Sequence, residues 1–177
     1  MRSSKQNEAS YTMSGSVDPI FYDFRATILR HFDSLFTKHG FGLVAELNYR
    51  HGEYQALIAA SSGCQVKFVL EQEIFELFVG RTESPRSYSD TIEGIEWWTS
   101  FWMLMSFEDM RDPASALRLS APNSGGTLDM EIERSARLLE HYIARVQKGI
   151  SSGLSDEWWT GYRAFRAARG GAALPQP

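Results

Sequence analysis

Between residues 41 and 80, apolar and polar positions alternate with a period of two, in four short runs separated only by turn residues. That period marks pleated strands with one face to hide. Strands are therefore predicted over 42–49, 53–60, 65–71 and 73–79, turning at His51-Gly52, from Ser61 to Gly63 and near Gln72. Connections this short join antiparallel neighbours, so the four strands read as a meander. Leu43, Ala45, Leu47 and Tyr49 share one face of the first strand, and Cys64, Val66, Phe68 and Leu70 share one face of the third. Both sets are expected to point at the helix that precedes the sheet. The opposite face mixes Val44, Leu57, Val69, Ile74 and Phe78 with Glu46, Gln65, Lys67 and Glu76, and is expected to face outward as a partly sticky surface.

Before and after the sheet the period changes to that of helices. Asp18-Pro19 is a start signal, since the carboxylate caps free amides and proline at the first turn forfeits no bond. Phe21, Phe24, Ile28, Phe32, Leu35 and Phe36 then recur at three- and four-residue steps, and Gly40 is the predicted stop. A polar, serine-rich loop over 81–91 leads to a helix predicted from Trp97 to Phe107, apolar on all sides and so sandwiched between layers. Residues 111–126 read as irregular. Thr127 caps a long helix with the inward stripe Leu128, Ile132, Leu139, Ile143 and Val146, and Ser155, Asp156 and Glu157 open a last helix bearing Trp158, Trp159, Tyr162 and Phe165. The expected architecture is one α+β domain over 17–168, with a four-stranded antiparallel meander, an N-terminal helix on one face and a C-terminal Trp-rich helical layer. Residues 1–16 and 169–177 are expected to be loose tails.

Composition narrows the function classes. The 177 residues are 43% hydrophobic and 23% charged, which is globular usage. A formal net charge of −4 supplies no basic footprint for phosphate backbones, so nucleic acid is not an expected partner, although Arg163, Arg166 and Arg169 make a local basic cluster. No apolar run approaches the ~20 residues that cross a bilayer, and residues 1–16 carry no signal-like apolar core. Neither a membrane nor secretion is expected, and the cytoplasm is the expected location.

Candidate chemistry is sparse. The single cysteine, Cys64, with His51 or His141 as base, would make a thiol nucleophile; a lone cysteine among alternating Val and Phe reads more readily as a small buried hydrophobe. His31, His39, His51 and His141 show no spacing that pairs two on one helical face, so no metal and no cofactor are expected. Glu108, Asp109 and Asp112 form the densest carboxylate cluster, suited to acid-base work or, more simply, to ending a helix in water. Glu71, Glu73 and Glu76 make a second acidic patch that a basic partner would read. The pairs Trp97-Trp98 and Trp158-Trp159 are expected in the core.

The run FDSLFTKHGFGLV, followed by YQALIAASSGCQVKFVLEQEIFELFVG, resembles small bacterial α+β proteins of unassigned function that are themselves similar to the immunity proteins of polymorphic toxins. The resemblance spans roughly residues 32–80. It implies a non-catalytic protein-binding module that neutralises a cognate toxin, with a basic toxin domain as partner and the chain itself a monomer or homodimer. The outward sheet face and its hairpin supply the expected contact residues: Glu46, Lys67, Glu71, Glu73, Glu76 and Phe78. Two other readings stand beside it, a small enzyme using Glu108, Asp109, Asp112 or Cys64, and a structural subunit of a homo-oligomer.

Overall fold

A computed structural model describes residues 19–49, 53–116, 127–152 and 156–170, with the side chains of 19–23 and of 115 left aside. The expected tails, the Asp18 cap, the His51-Gly52 turn, His51 itself, Ser155 and the stretch 117–126 lie largely or wholly outside those residues. The chain is α+β. Helix α1 (Pro19–His31) and the short α2 (Asp33–Thr37) precede a meander of β1 (Gly42–Tyr49), β2 (Tyr54–Ala60), β3 (Gln65–Glu71) and β4 (Ile74–Gly80). A small hairpin of β5 (Thr91–Ile92) and β6 (Ile95–Glu96) follows, then β7 (Trp98–Ser100), α3 (Phe101–Arg111), a 3-10 turn (Pro113–Ser115), α4 (Leu128–Ser151) and α5 (Glu157–Ala167).

The main sheet has five strands in the order β1-β2-β3-β4-β7, one more than the alternation predicts. The extra strand comes from the segment expected to be helical: Trp98 to Ser100 pairs antiparallel with β4, and the helix starts only at Phe101. Thr99 and Ser100 interrupt the apolar run there, but three residues are too few to display a strand period, and the start at Phe101 follows Ser100 at the N-cap position. The first helix also departs from expectation by breaking at Phe32, which keeps its side chain buried between α1 and α2. Gly40 ends this unit with φ +68°, a conformation that costs other residues about 1–2 kcal/mol.

One bulge re-phases the first strand. Leu43 opposes Ala59, but the register shifts past Val44, so that Ala45 opposes Ile58, Glu46 opposes Leu57 and Tyr49 opposes Tyr54. Partners share a face, and an extra residue turns every later side chain over. Leu43 therefore points at the helices as expected, whereas Ala45, Leu47 and Tyr49 do not. Glu46 takes their place on the helix side, where it pairs with Arg25 of α1.

Leu57, Phe68 and Leu77 cross the inner face in one row, and Ala59, Val66 and Val79 in another. Phe32 sits edge-on against Phe68 with ring centres 4.7 Å apart, and Phe24 and Phe32 both approach Phe75. The Thr127 hydroxyl caps α4 by accepting from the Met130 amide, and Ile132, Leu139, Ile143 and Val146 of its stripe are buried. Asp156 caps α5, whose Trp158, Tyr162 and Phe165 surround Phe107 of α3. Trp98, Trp158 and Trp159 are core residues, as expected, whereas Trp97 of the first pair is only partly buried and Trp102 is 38% exposed. No helix among the described residues is long and apolar enough to cross a membrane.

Candidate binding groove

The serine-rich segment between β4 and β7 folds back over half of the outer sheet face. Gly80 makes this possible, since a Cβ there would lie 2.6 Å from Ser84 Oγ and 2.9 Å from the Trp98 ring. Gln65, fully buried on β3, then points its amide nitrogen at the carbonyls of Arg81, Thr82 and Ser84, at 3.1, 2.8 and 2.9 Å. Ser84 donates to the carbonyl of Trp97, and the indole N–H of Trp98 donates to that of Pro85. Buried polar groups need such partners, and each pair made here fixes one more point of the returning chain.

Lys67 makes a further set of contacts with the returning segment. The sequence places it on the outward face among contact residues, and it does point that way, but its side chain is 0% exposed. Its ammonium pairs with Asp90, lies 3.4 Å from the Tyr88 carbonyl, and sits 4.9 and 5.3 Å from the ring centres of Trp98 and Phe78. Burial lowers its pKa, and the Asp90 carboxylate pulls in the opposite direction. The arrangement holds Tyr88 and Asp90 at a fixed height above the sheet.

Beside this covered half the outer face stays open, as a groove of about 300 Å³. Its walls are Tyr49 and Tyr54 of the first hairpin, Val69, Glu71, Glu76 and Phe78 of the second, Glu53 and Gln72 at the turns, and Tyr88 to Asp90 from the overlying segment. Tyr49 and Tyr88 stack with ring centres 5.3 Å apart, and Tyr54 stands edge-on to Tyr88 while donating its hydroxyl proton to the Tyr88 carbonyl at 3.1 Å. Four carboxylates line the groove, those of Glu53, Glu71, Glu76 and Asp90, and no cationic side chain of the described residues does. Burial and their mutual field act together on these groups, with Lys67 opposing at Glu76. Burial, with Asp90 and Glu71 adding to it, raises the pKa of Glu76, and burial with Asp90, Glu71 and Glu76 raises that of Tyr54.

Glu71, Glu76 and Phe78, named from the sequence, thus come together in one wall, and Lys67 lies beneath the adjoining cover. Glu73 stays outside the groove, at the tip of the β3–β4 turn, where Gln72 (φ 48°) and Glu73 (φ 69°) are both left-handed. Glu46 is on the other face of the sheet, carried there by the bulge. Sequence reasoning placed Tyr49 on the helix side, from which the bulge removes it, and passed over Tyr54, Tyr88 and Asp90 as site residues. Tyr88 had a signal, as a lone large aromatic in a polar, serine-rich loop, a residue that such a loop has no reason to carry unless it lands on something.

The other candidates are committed to structure. Glu108 is buried and accepts the Trp158 indole N–H at 2.7 Å, Asp109 accepts the Tyr142 hydroxyl, and Asp112 lies 4.0 Å from Arg145. Cys64 is fully buried at the entrance to β3, and loss of hydration pushes its thiol up to about 12, where little thiolate forms at neutral pH. His31 bonds Asp129 at 3.0 Å on the helical side. No protein-family model, no curated protein and no solved structure matches the chain.

Proposed function

We propose that the chain is a non-catalytic protein-binding module of the immunity type, which neutralises a bacterial toxin by covering part of its surface. The observation that carries this reading is the groove: a concavity walled by Tyr49, Tyr54, Tyr88 and Phe78, edged by four carboxylates and built on a hydrogen-bonded sheet. Tyrosines anchor protein contacts well, because they bring large area with little rotamer freedom to lose. Excess negative charge, four carboxylates against the one Lys67 ammonium that Asp90 holds, selects a basic partner and speeds its approach, and the overall charge of −4 acts in the same direction. In this reading the protein works in the cytoplasm of the toxin-producing cell.

The test is co-expression with a toxin-like reading frame sought beside its gene; a neighbourhood without one would overturn the reading. Wild-type protein should restore growth and co-elute with the toxin domain. The charge-reversed pair Glu71→Lys/Glu76→Lys, with an unchanged circular dichroism spectrum, should do neither. Protection that persists in the reversed pair, or no complex with the neighbouring toxin, would overturn the proposal.

A further inference from the structure

The shape and charge of the groove say more about what enters it than that the partner is basic. We propose that it is an arginine socket, which takes the guanidinium of one arginine side chain of a protein partner between Tyr88 and the Glu71–Glu76 wall. This rests on the binding reading given above and names the chemistry of the contact.

Three observations point the same way. Glu71 opposes Ile74 across the β3–β4 pair, so Glu76, two residues further on, is its diagonal neighbour on the same face. Such diagonal positions are roughly 7–8 Å apart at the backbone, a gap that one planar guanidinium spans with a nitrogen toward each carboxylate. The groove also offers aromatic rings, among them Tyr88, which is 58% exposed, and guanidinium stacks on such rings where a compact, strongly hydrated ammonium does so less well. Finally, among the described residues no three His, Cys, Asp or Glu side chains converge closely enough to hold a metal ion. Carboxylates spread along a groove, rather than gathered at a point, suit a cation that is itself extended. Lys67 does not answer this need, because Asp90 engages it under the cover.

Fluorescence anisotropy with a labelled arginine-rich peptide tests the assignment at ~0.15 M salt, where interactions reaching beyond about 8 Å are largely screened. The wild-type chain should bind the arginine peptide several-fold more tightly than a lysine peptide of equal length. Removing the two groove charges in Glu71→Gln/Glu76→Gln should weaken it about tenfold or more, the scale expected for charge-assisted bonds. Glu93→Gln/Glu131→Gln removes the same charge from exposed positions outside the groove and should cost less than about twofold. Tyr88→Ala should weaken the arginine peptide and narrow its advantage over lysine.

Equal losses in the two charge pairs, equal affinity for the two peptides, or no peptide binding would each overturn the socket. So would free arginine amide competing as strongly as the peptide, which would assign the groove to a small solute. The peptide assay and the growth assay fail independently. Toxin protection without arginine selectivity removes the socket and keeps the binding module, whereas arginine selectivity without protection keeps the socket and removes the toxin as its partner.

Discussion

Phe68 and Lys67 are adjacent in one strand and equally inaccessible to water, yet they are buried by different physics. Phe68 faces the helices and meets Phe32 in an apolar layer that extends through Leu57 and Leu77. Lys67 faces the other way and meets a carboxylate, a carbonyl and two ring faces. The inner face needs only apolar bulk of the right shape, and many contacts share its energy. The outer cover depends on a few directional partners, each of which is expensive to orphan. The difference explains why a site can be held on one side of the sheet and not the other: polar fasteners position the groups beside them, whereas grease only excludes water.

The contrast can be broken most severely from the inside. Phe68→Ala should lower stability by about 3–5 kcal/mol, read as a reduced midpoint in urea, because it removes transfer energy and leaves a cavity under Phe32. On the outer face Asp90→Asn should cost about 2–3 kcal/mol, at or below the lower end of the range for breaking a buried pair, since Asp90 keeps 38% of its side-chain exposure. Lys67→Met keeps the stem, removes the charge and should be close to neutral in stability. A Lys67→Met loss as large as that of Asp90→Asn would show that the ion pair itself, rather than the penalty of stranding a charge, fastens the cover. In Asp90→Asn, hydrogen exchange should quicken over 81–97 before it does in the strands.

The smallest effect concerns pH. The folded-state pKa of Glu76 is raised, so the folded form binds its proton more tightly than the unfolded chain does. Its contribution to stability is present below the unfolded carboxylate value and is lost as pH rises through the folded one. Replacing it in Glu76→Gln should therefore stabilise the protein slightly at pH 7, by a few tenths of a kcal/mol for so accessible a group, and should remove the fall in stability with rising pH that Glu76 contributes as it titrates. Asp129 and Glu140, whose pKa values are lowered by bonds to His31 and Lys38, act with the opposite sign. The difference between variant and wild type, measured by denaturation between pH 4 and 7, isolates Glu76.

Much of this was legible in the residues. Alternation with turn residues between the runs located the meander to within a residue or so, and the capping residues Thr127 and Asp156 marked both late helices. The misses have physical causes. A bulge at Val44 leaves no mark in a strand whose two sides are both partly apolar, so the faces of β1 were exchanged beyond it. Thr99 and Ser100 do break the apolar run before Phe101, but a strand of three residues shows no period, and pairing with β4 is what distinguishes it. In the groove, Glu71, Glu76 and Phe78 could be found because they share a hairpin. Tyr88 and Asp90 arrive from a loop whose landing place depends on Gln65 and Lys67, contacts separated by 16 to 23 positions that no local pattern encodes.

The strand order has a consequence in time. Four strands that neighbour one another in sequence can zip from their turns in successive microsecond steps, because each closure spans few residues. The fifth must wait for the long return of the chain to be threaded back and fastened, a slower closure with more entropy to lose. Nascent chains would therefore carry a finished meander whose recognition wall exists while its aromatic lid is still absent. The groove would then be the last feature of the outer sheet face to close.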